Sequence, residues 1–204
     1  MSTTVDSLRI LLTNVTLATR TGTELYVRDL ALRLLQRGHT PVVYSPDPGP
    51  VADELRLATV PVVDDLTALA EWTPQLVHGH HTLETILALL RFPGVPAIFV
   101  CHDWTIWHDE APPLDRVVFY VAVDDTCRDR LHLRHGVPTD RLRVIYNWVD
   151  LARFPPRDPL PGHPERALLF SNYAREDSHL GPVREACVRL GIPLDVIGAG
   201  VGAS

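Results

Sequence analysis

The alternation of short, wholly apolar runs with segments of helical period constrains this chain more than any other feature. The clearest run is Val117 to Val123 (VVFYVAV), seven residues without a polar break. A strand with one wet face alternates apolar and polar side chains, because successive side chains point to opposite faces. A strand apolar throughout needs cover on both faces, which parallel strands receive from their crossover helices. Comparable strand candidates are Leu8–Thr13, Thr40–Tyr44, Val60–Val63, Leu76–Gly79, Ala97–Cys101 and Leu142–Tyr146. Between them, Glu24–Arg37, Ala52–Leu57, Leu66–Trp72, Leu83–Leu90 and Thr126–His135 carry apolar residues at helical spacing. The alternation predicts an α/β fold, a doubly wound and mostly parallel Rossmann-like sheet.

The first strand-to-helix connection is long and polar, Asn14 to Glu24 (NVTLATRTGTE). Thr21 and Glu24 have the S/T-x-x-E spacing of a capping box, which places Gly22 in the first helical turn. Gly38 supplies a left-handed stop at the other end of this helix. A helix N-terminus has free N–H groups and a partial positive charge, so it accepts a phosphate or carboxylate. Composition narrows the chemistry. A net charge of −6 argues against a nucleic-acid partner. All 19 basic residues are arginine, and without a lysine both P-loop and Schiff-base chemistry are excluded. No apolar run approaches the length of a membrane span, and the N-terminus lacks a signal pattern. Three cysteines without zinc-like spacing fit a reducing, cytoplasmic compartment.

The segment Phe154 to Pro164 (FPPRDPLPGHP) holds five prolines and reads as a linker. We therefore expect a first domain over 1–155, a linker over 156–165 and an incomplete second α/β unit over 166–204. In that unit Ala167–Phe170 and Pro193–Ile197 are strand candidates, and Leu180–Leu190 is a helix candidate. Three elements cannot bury both faces of a sheet alone. The string Gly198 to Ala203 has G-x-G-x-x-A spacing, but no helix or acidic residue follows to complete a dinucleotide site.

Ligands of open parallel sheets bind beyond the C-terminal strand ends. The residues there are Asn14 to Glu24, His80-His81, His102-Asp103, Asp124-Asp125 and Asn147 to Asp150. This convergence carries more weight than any one of them. Trp104 and Trp107 are read as sugar-stacking or packing residues, and the stretch Asp103 to Pro113 that holds them is expected to cover the cleft.

Five segments resemble, in order, the N-terminal domain of GT-B glycosyltransferases of the retaining, nucleotide-sugar-dependent family 4 type. They are TGTELYVRDLALRLLQRGHTPVVYS, PQLVHGHH, IFVCHDW, VAVDDTCRDRL and GVPTDRLRVIYNWVDLARF, and the resemblance covers roughly residues 8–155. The resemblance implies transfer of a sugar from a nucleotide-diphosphate donor to an acceptor, with no cofactor beyond the donor itself. It implies that Thr21, Gly22, Thr23 and Glu24 lie near the diphosphate and acceptor, and that His102 with Asp103 faces the reacting sugar. His80, His81, Asn147 and Arg175 are the further substrate-binding candidates. The chain departs from the family pattern at Thr21, where a second glycine is usual, at Asp124 and at Trp148. Beyond the linker it offers Arg175 but no lysine for the diphosphate.

Two other readings stand beside this one. A non-catalytic sugar- or partner-binding module would have lost its donor half, or a partner chain would complete the second domain. A metal-dependent hydrolase would use His78, His80 and His81 (HGHH). On a strand His78 and His80 share a face, but no third ligand is placed by the spacing and no Asp-His pair follows. We therefore expect no metal.

Overall fold

The computed structural model describes residues 6–159, 162–171 and 179–198. Arg175 and the glycines after Gly198 lie outside the described residues. The chain divides into two compact units, Met1–Trp148 and Val149–Ser204.

The first unit is one seven-stranded sheet. Its strands are β1 (Arg9–Thr13), β2 (Thr40–Tyr44), β3 (Val62–Val63), β4 (Leu76–His80), β5 (Ala97–Cys101), β6 (Val117–Ala122) and β7 (Leu142–Val144). Every adjacent pair is parallel. The spatial order is β3-β2-β1-β4-β5-β6-β7. The chain thus winds outward from β1 in one direction, then returns to start β4 on the other side. Helices α1 (Gly22–Gln36), α2 (Pro50–Leu57), α3 (Thr82–Arg91) and α4 (Asp125–Asp129) make the crossovers, and α4 runs on into a π-turn over Arg130–Arg134.

The doubly wound prediction holds because strand neighbours alternate between two cores. Ile10 and Leu12 pack with Val27, Ala31, Val51 and Leu55 of α1 and α2 on one face. Leu11 packs on the opposite face, in a larger cluster with Val77, Ala88, Leu89, Phe99 and Leu131. Leu11, Leu12 and Phe99 are fully buried. Burying a side chain of this size contributes about 1.5–3 kcal/mol, so the two cores together dominate the stability of the sheet.

Several elements are shorter than expected, β7 among them, which ends at Val144 and not at Tyr146. Strand β3 begins only at Val62, because the Val60 N–H donates to Leu55 O and closes the end of α2. The helix expected over Leu66–Trp72 is a 3-10 turn, Leu66–Leu69, capped by the Asp65 carboxylate on the Thr67 N–H at 2.8 Å. Pro74 disfavours helical backbone at Thr73, so the turn does not propagate.

The second unit pairs β8 (Ala167–Phe170) with β9 (Leu194–Ile197) in parallel, and α5 (Leu180–Leu190) joins them. Gly191 closes α5 at φ 66°, a left-handed position that glycine takes without strain. Leu168 and Phe170, on alternate positions of β8, remain exposed.

Gly79 sets how closely α3 approaches β4. A Cβ on Gly79 would overlap the Thr85 side chain. Gly79→Ala is therefore expected to destabilise the protein by about 1–3 kcal/mol in urea unfolding. The double variant with Thr85→Ala should cost less than the sum of the single changes. Additive costs would contradict the close approach.

Candidate active site

The order of winding reverses between β1 and β4, so the segments leaving these two strands diverge and open a crevice at their C-terminal ends. A cleft of about 280 Å³ lies there, lined by Thr21, Gly22, Thr23, Tyr26, His81, His102, Asp103, Ile106, His108, Asp109 and Asn147. Residues from β1–α1, β4–α3, β5 and the end of β7 meet in it. A larger cleft of about 650 Å³ is formed mostly by segments entering β6 and β7, including Pro112, Leu114, Val137 and Arg141. It lacks the convergence of strand ends, so size does not identify the site.

The β1–α1 loop is pinned from behind. The Thr16 hydroxyl donates to Asp47 at 2.6 Å, the Leu17 N–H donates to Asp47 O, and the Val51 N–H donates to Leu17 O. At Gly49 a Cβ would collide with the Ala18 backbone, so the loop lies directly on the start of α2. Helix α1 begins at Gly22, as the sequence predicts, but the capping box does not form. Thr21 caps no backbone N–H. Its hydroxyl turns to the Glu24 carboxylate, which also accepts from the Thr19 hydroxyl at 2.7 Å and the Thr23 hydroxyl at 3.3 Å. Glu24 is buried and absent from the cleft wall, and it gathers the three threonine hydroxyls of the loop. The helix N-terminus is left without a side-chain cap, facing the cleft. Gly22 has negative φ, and a Cβ there would meet nothing within 4 Å. Neither packing nor backbone conformation requires a glycine, and Gly22 lines the cleft.

The histidines occupy distinct places. His102, the first residue after β5, lines the cleft. His80, expected to bind substrate, is fully buried and lies behind the wall. Its Nδ1 is 2.8 Å from His102 Nε2, and its Nε2 is 3.0 Å from His78 Nδ1. The Tyr26 ring meets the rings of His80 and His102 edge-on. Burial is the main force on all of these imidazoles. It lowers His78 and His81 to about 4 and His102 to about 3, and takes His80 well below the ordinary range, with neighbouring histidines adding to the effect except at His78. All four are neutral at pH 7, each with one donor and one acceptor. Among the described residues no group of three or more His, Cys, Asp or Glu is arranged to hold a metal ion. Within HGHH, His78 Nδ1 and His80 Nε2 lie 3.0 Å apart, at hydrogen-bond distance, while His81 Nδ1 accepts from the Val15 N–H.

His81 lines the cleft in a strained backbone, φ 68° and ψ 138°. It is held there from three sides. The Val15 N–H donates to its Nδ1 at 3.2 Å, and its carbonyl accepts the Thr85 N–H and, at 2.6 Å, the Thr85 hydroxyl. Non-glycine residues persist in such conformations where the surroundings over-determine them, often at ligand sites.

Asp103 lines the cleft, but one carboxylate oxygen is committed to a turn, accepting the Thr105 and Ile106 N–H groups and the Thr105 hydroxyl. Burial raises its pKa and these bonds more than reverse the effect, leaving it lowered and ionised. Asn147 lies in the cleft wall. Tyr26, His108 and Asp109 were not singled out in the sequence. Tyr26 stands four residues after Gly22 and so shares its helix face, a signal that was available. Asp109 is buried, and its Oδ1 has no hydrogen-bond partner. Burial pushes its pKa up to about 6, against the pull of the His102 and Asp103 N–H groups. Trp104 and Trp107 are exposed and outside the cleft wall, which takes Ile106, His108 and Asp109 from that segment instead.

The strain at His81 predicts an order of stability. His81→Gly should be more stable than His81→Ala by roughly 1–2 kcal/mol in chemical unfolding. Equal stability would mean that the backbone there is unstrained.

Comparison with known proteins agrees with this geometry. The model of Glycosyltransferase Family 4 matches residues 20–153. No curated protein matches the chain by sequence. Among solved structures, a glycosyltransferase from Rickettsia africae ESF-5 is 15% identical with a TM-score of 0.66, the match covering 97% of this chain and 69% of that one. Alr3699/HepE of Anabaena, in complex with UDP-glucose, is 15% identical with a TM-score of 0.55, covering 94% and 69%. A putative UDP-N-acetylglucosamine 2-epimerase from Listeria monocytogenes is 13% identical with a TM-score of 0.55, covering 94% and 62%. These likenesses are of fold, shared by transferases and an epimerase, and the family match carries the class. With its Rossmann-like sheet as the N-terminal half of a GT-B architecture, the chain belongs to glycosyltransferase family 4.

Proposed function

We propose that this chain binds a nucleoside-diphosphate sugar and takes part in transferring the sugar to an acceptor hydroxyl. One observation carries the reading: an uncapped helix N-terminus at Gly22, with open space before it, shares a cleft with the neutral His102. The helix N-terminus suits the diphosphate, whose negative charge grows as it leaves. A neutral imidazole suits sugar hydroxyls, because it hydrogen-bonds without adding a charge to be desolvated. The UDP-glucose bound by the Anabaena protein supports this class of donor. No cofactor is invoked, since the helix N-terminus supplies positive potential to the diphosphate. His81 and Asn147 are proposed to contact the donor or acceptor, and Thr21 and Thr23 to present their backbone.

Among the described residues no helix is long and apolar enough to cross a membrane. The three cysteines are free thiols, which supports a reducing, cytoplasmic setting. Exposed Leu168 and Phe170 support completion of the second unit by further chain or by a partner. The absence of lysine favours one alternative, a non-catalytic sugar- or partner-binding module that has lost its donor half.

Release of nucleoside diphosphate from UDP-, GDP- and ADP-sugars tests the reading. His102→Ala is expected to lower turnover roughly a hundredfold. Binding of a sugar nucleotide with no release by the wild-type chain would favour the binding module. Turnover undiminished in His102→Ala would overturn the assigned role.

A further inference from the structure

We infer that His78, His80 and His102 form one tautomer-coupled imidazole chain, through which His78, outside the cleft, sets the proton position on His102 inside it. The rings lie nearly parallel, at 28° and 24°, with centroids 4.9 and 5.1 Å apart. Such values also describe face-to-face stacking, but the nitrogens decide otherwise. Their separations are 3.0 and 2.8 Å. A centroid distance close to the N···N distance plus two ring radii means that the rings meet end to end, almost in one plane. That is hydrogen-bond geometry.

The coupling follows from counting protons. Each neutral imidazole carries one N–H and one lone pair. His80 bonds at both nitrogens, so it donates to one neighbour and accepts from the other. If His80 donates from Nδ1 to His102, then His78 donates from Nδ1 to His80, and the proton of His102 is on Nδ1. If His102 donates from Nε2, then His80 donates from Nε2 to His78, whose own proton is on Nε2. All three rings therefore carry the proton on Nδ1, or all three carry it on Nε2. A mixed state puts two donors or two lone pairs face to face.

The surroundings hold the rings to this choice. His80 is fully buried, and desolvation keeps all three rings uncharged, so a second proton does not break the chain. Burial acts on all three, other histidines act on His80 and His102, and a backbone hydrogen bond acts on His78; no carboxylate is among the influences. Tyr26 packs edge-on against both His80 and His102. The backbone N–H of His80 donates to the Thr13 hydroxyl at 3.1 Å, which anchors the middle of the chain to β1. His102 keeps Nδ1 outside the chain. In one state Nδ1 is a donor, and in the other an acceptor. His78 is thus a positioning residue, and the consequence for sugar transfer rests on the function proposed above, whereas the chain itself does not.

Long-range 1H–15N correlation spectra of protein labelled with 15N-histidine read imidazole tautomers directly, with rings assigned by single His→Gln variants. The wild-type protein is expected to show the same tautomer, or the same fraction of each, at His78, His80 and His102. Opposite tautomers at His80 and His102 would overturn the chain without any variant. In His78→Phe the His102 tautomer ratio should shift although His78 does not line the cleft, and an unchanged His102 pattern would overturn the coupling. If transfer is measurable, His78→Phe should lower kcat more than it raises KM. Coupled tautomers in a protein that transfers no sugar would count against the proposed function and leave the chain standing.

Discussion

The reversal of strand order between β1 and β4 is the constraint on which the rest of the first unit depends. Apolar strands need cover on both faces, and the chain meets that need by winding outward from β1 and then from β4 in the opposite direction. The loops that leave these two strands are forced apart, and the gap between them is the cleft. The Gly22 helix start, His81 and His102 arrive there because they follow β1, β4 and β5, not because they attract one another. The same close winding accounts for Gly79 and Gly49, where backbone lies against a neighbouring segment.

Desolvation then sets the chemistry of the wall. Imidazoles in water near pH 7 are partly charged, but here burial holds His78, His80, His81 and His102 neutral. Neutral rings hydrogen-bond to one another, which charged rings would not do. The positive potential in the cleft therefore comes from the helix N-terminus and not from histidine. Asp109, raised to about 6 by the same burial, loses its negative charge as pH falls below that value. The wall suits a ligand with an anionic group at one end and hydroxyls at the other.

Much of this was legible in the sequence. The runs VVFYVAV and AIFVC announced parallel strands, although Val118 and Phe119 near the start of β6 stay exposed, and the strand-end rule placed Gly22, His81, His102 and Asn147 at one end of the sheet. Side-chain direction was not legible. His80 and His81 are adjacent, yet one is buried behind the wall and the other lines it, because the left-handed turn at His81 rotates the chain as α3 begins. Glu24 had the spacing of a capping box but serves three threonine hydroxyls, since the loop folds over it in a way that spacing does not encode. Tyr26 and Asp109 reach the cleft through a helix face and a 3-10 turn, and only the first has a periodic signature. Arg175 lies outside the described residues.

The central claim is that the cleft at the β1, β4 and β5 ends is where a sugar nucleotide binds. Backbone amide 1H–15N spectra recorded during titration with UDP-, GDP- and ADP-sugars test it most directly. The account predicts saturable shifts at Gly22, Thr23 and His102 with at least one donor, and smaller shifts at Val137 and Leu114 in the larger cleft. Shifts confined to Leu114 and Val137, or none at Gly22 and His102 with any of the three, would contradict it.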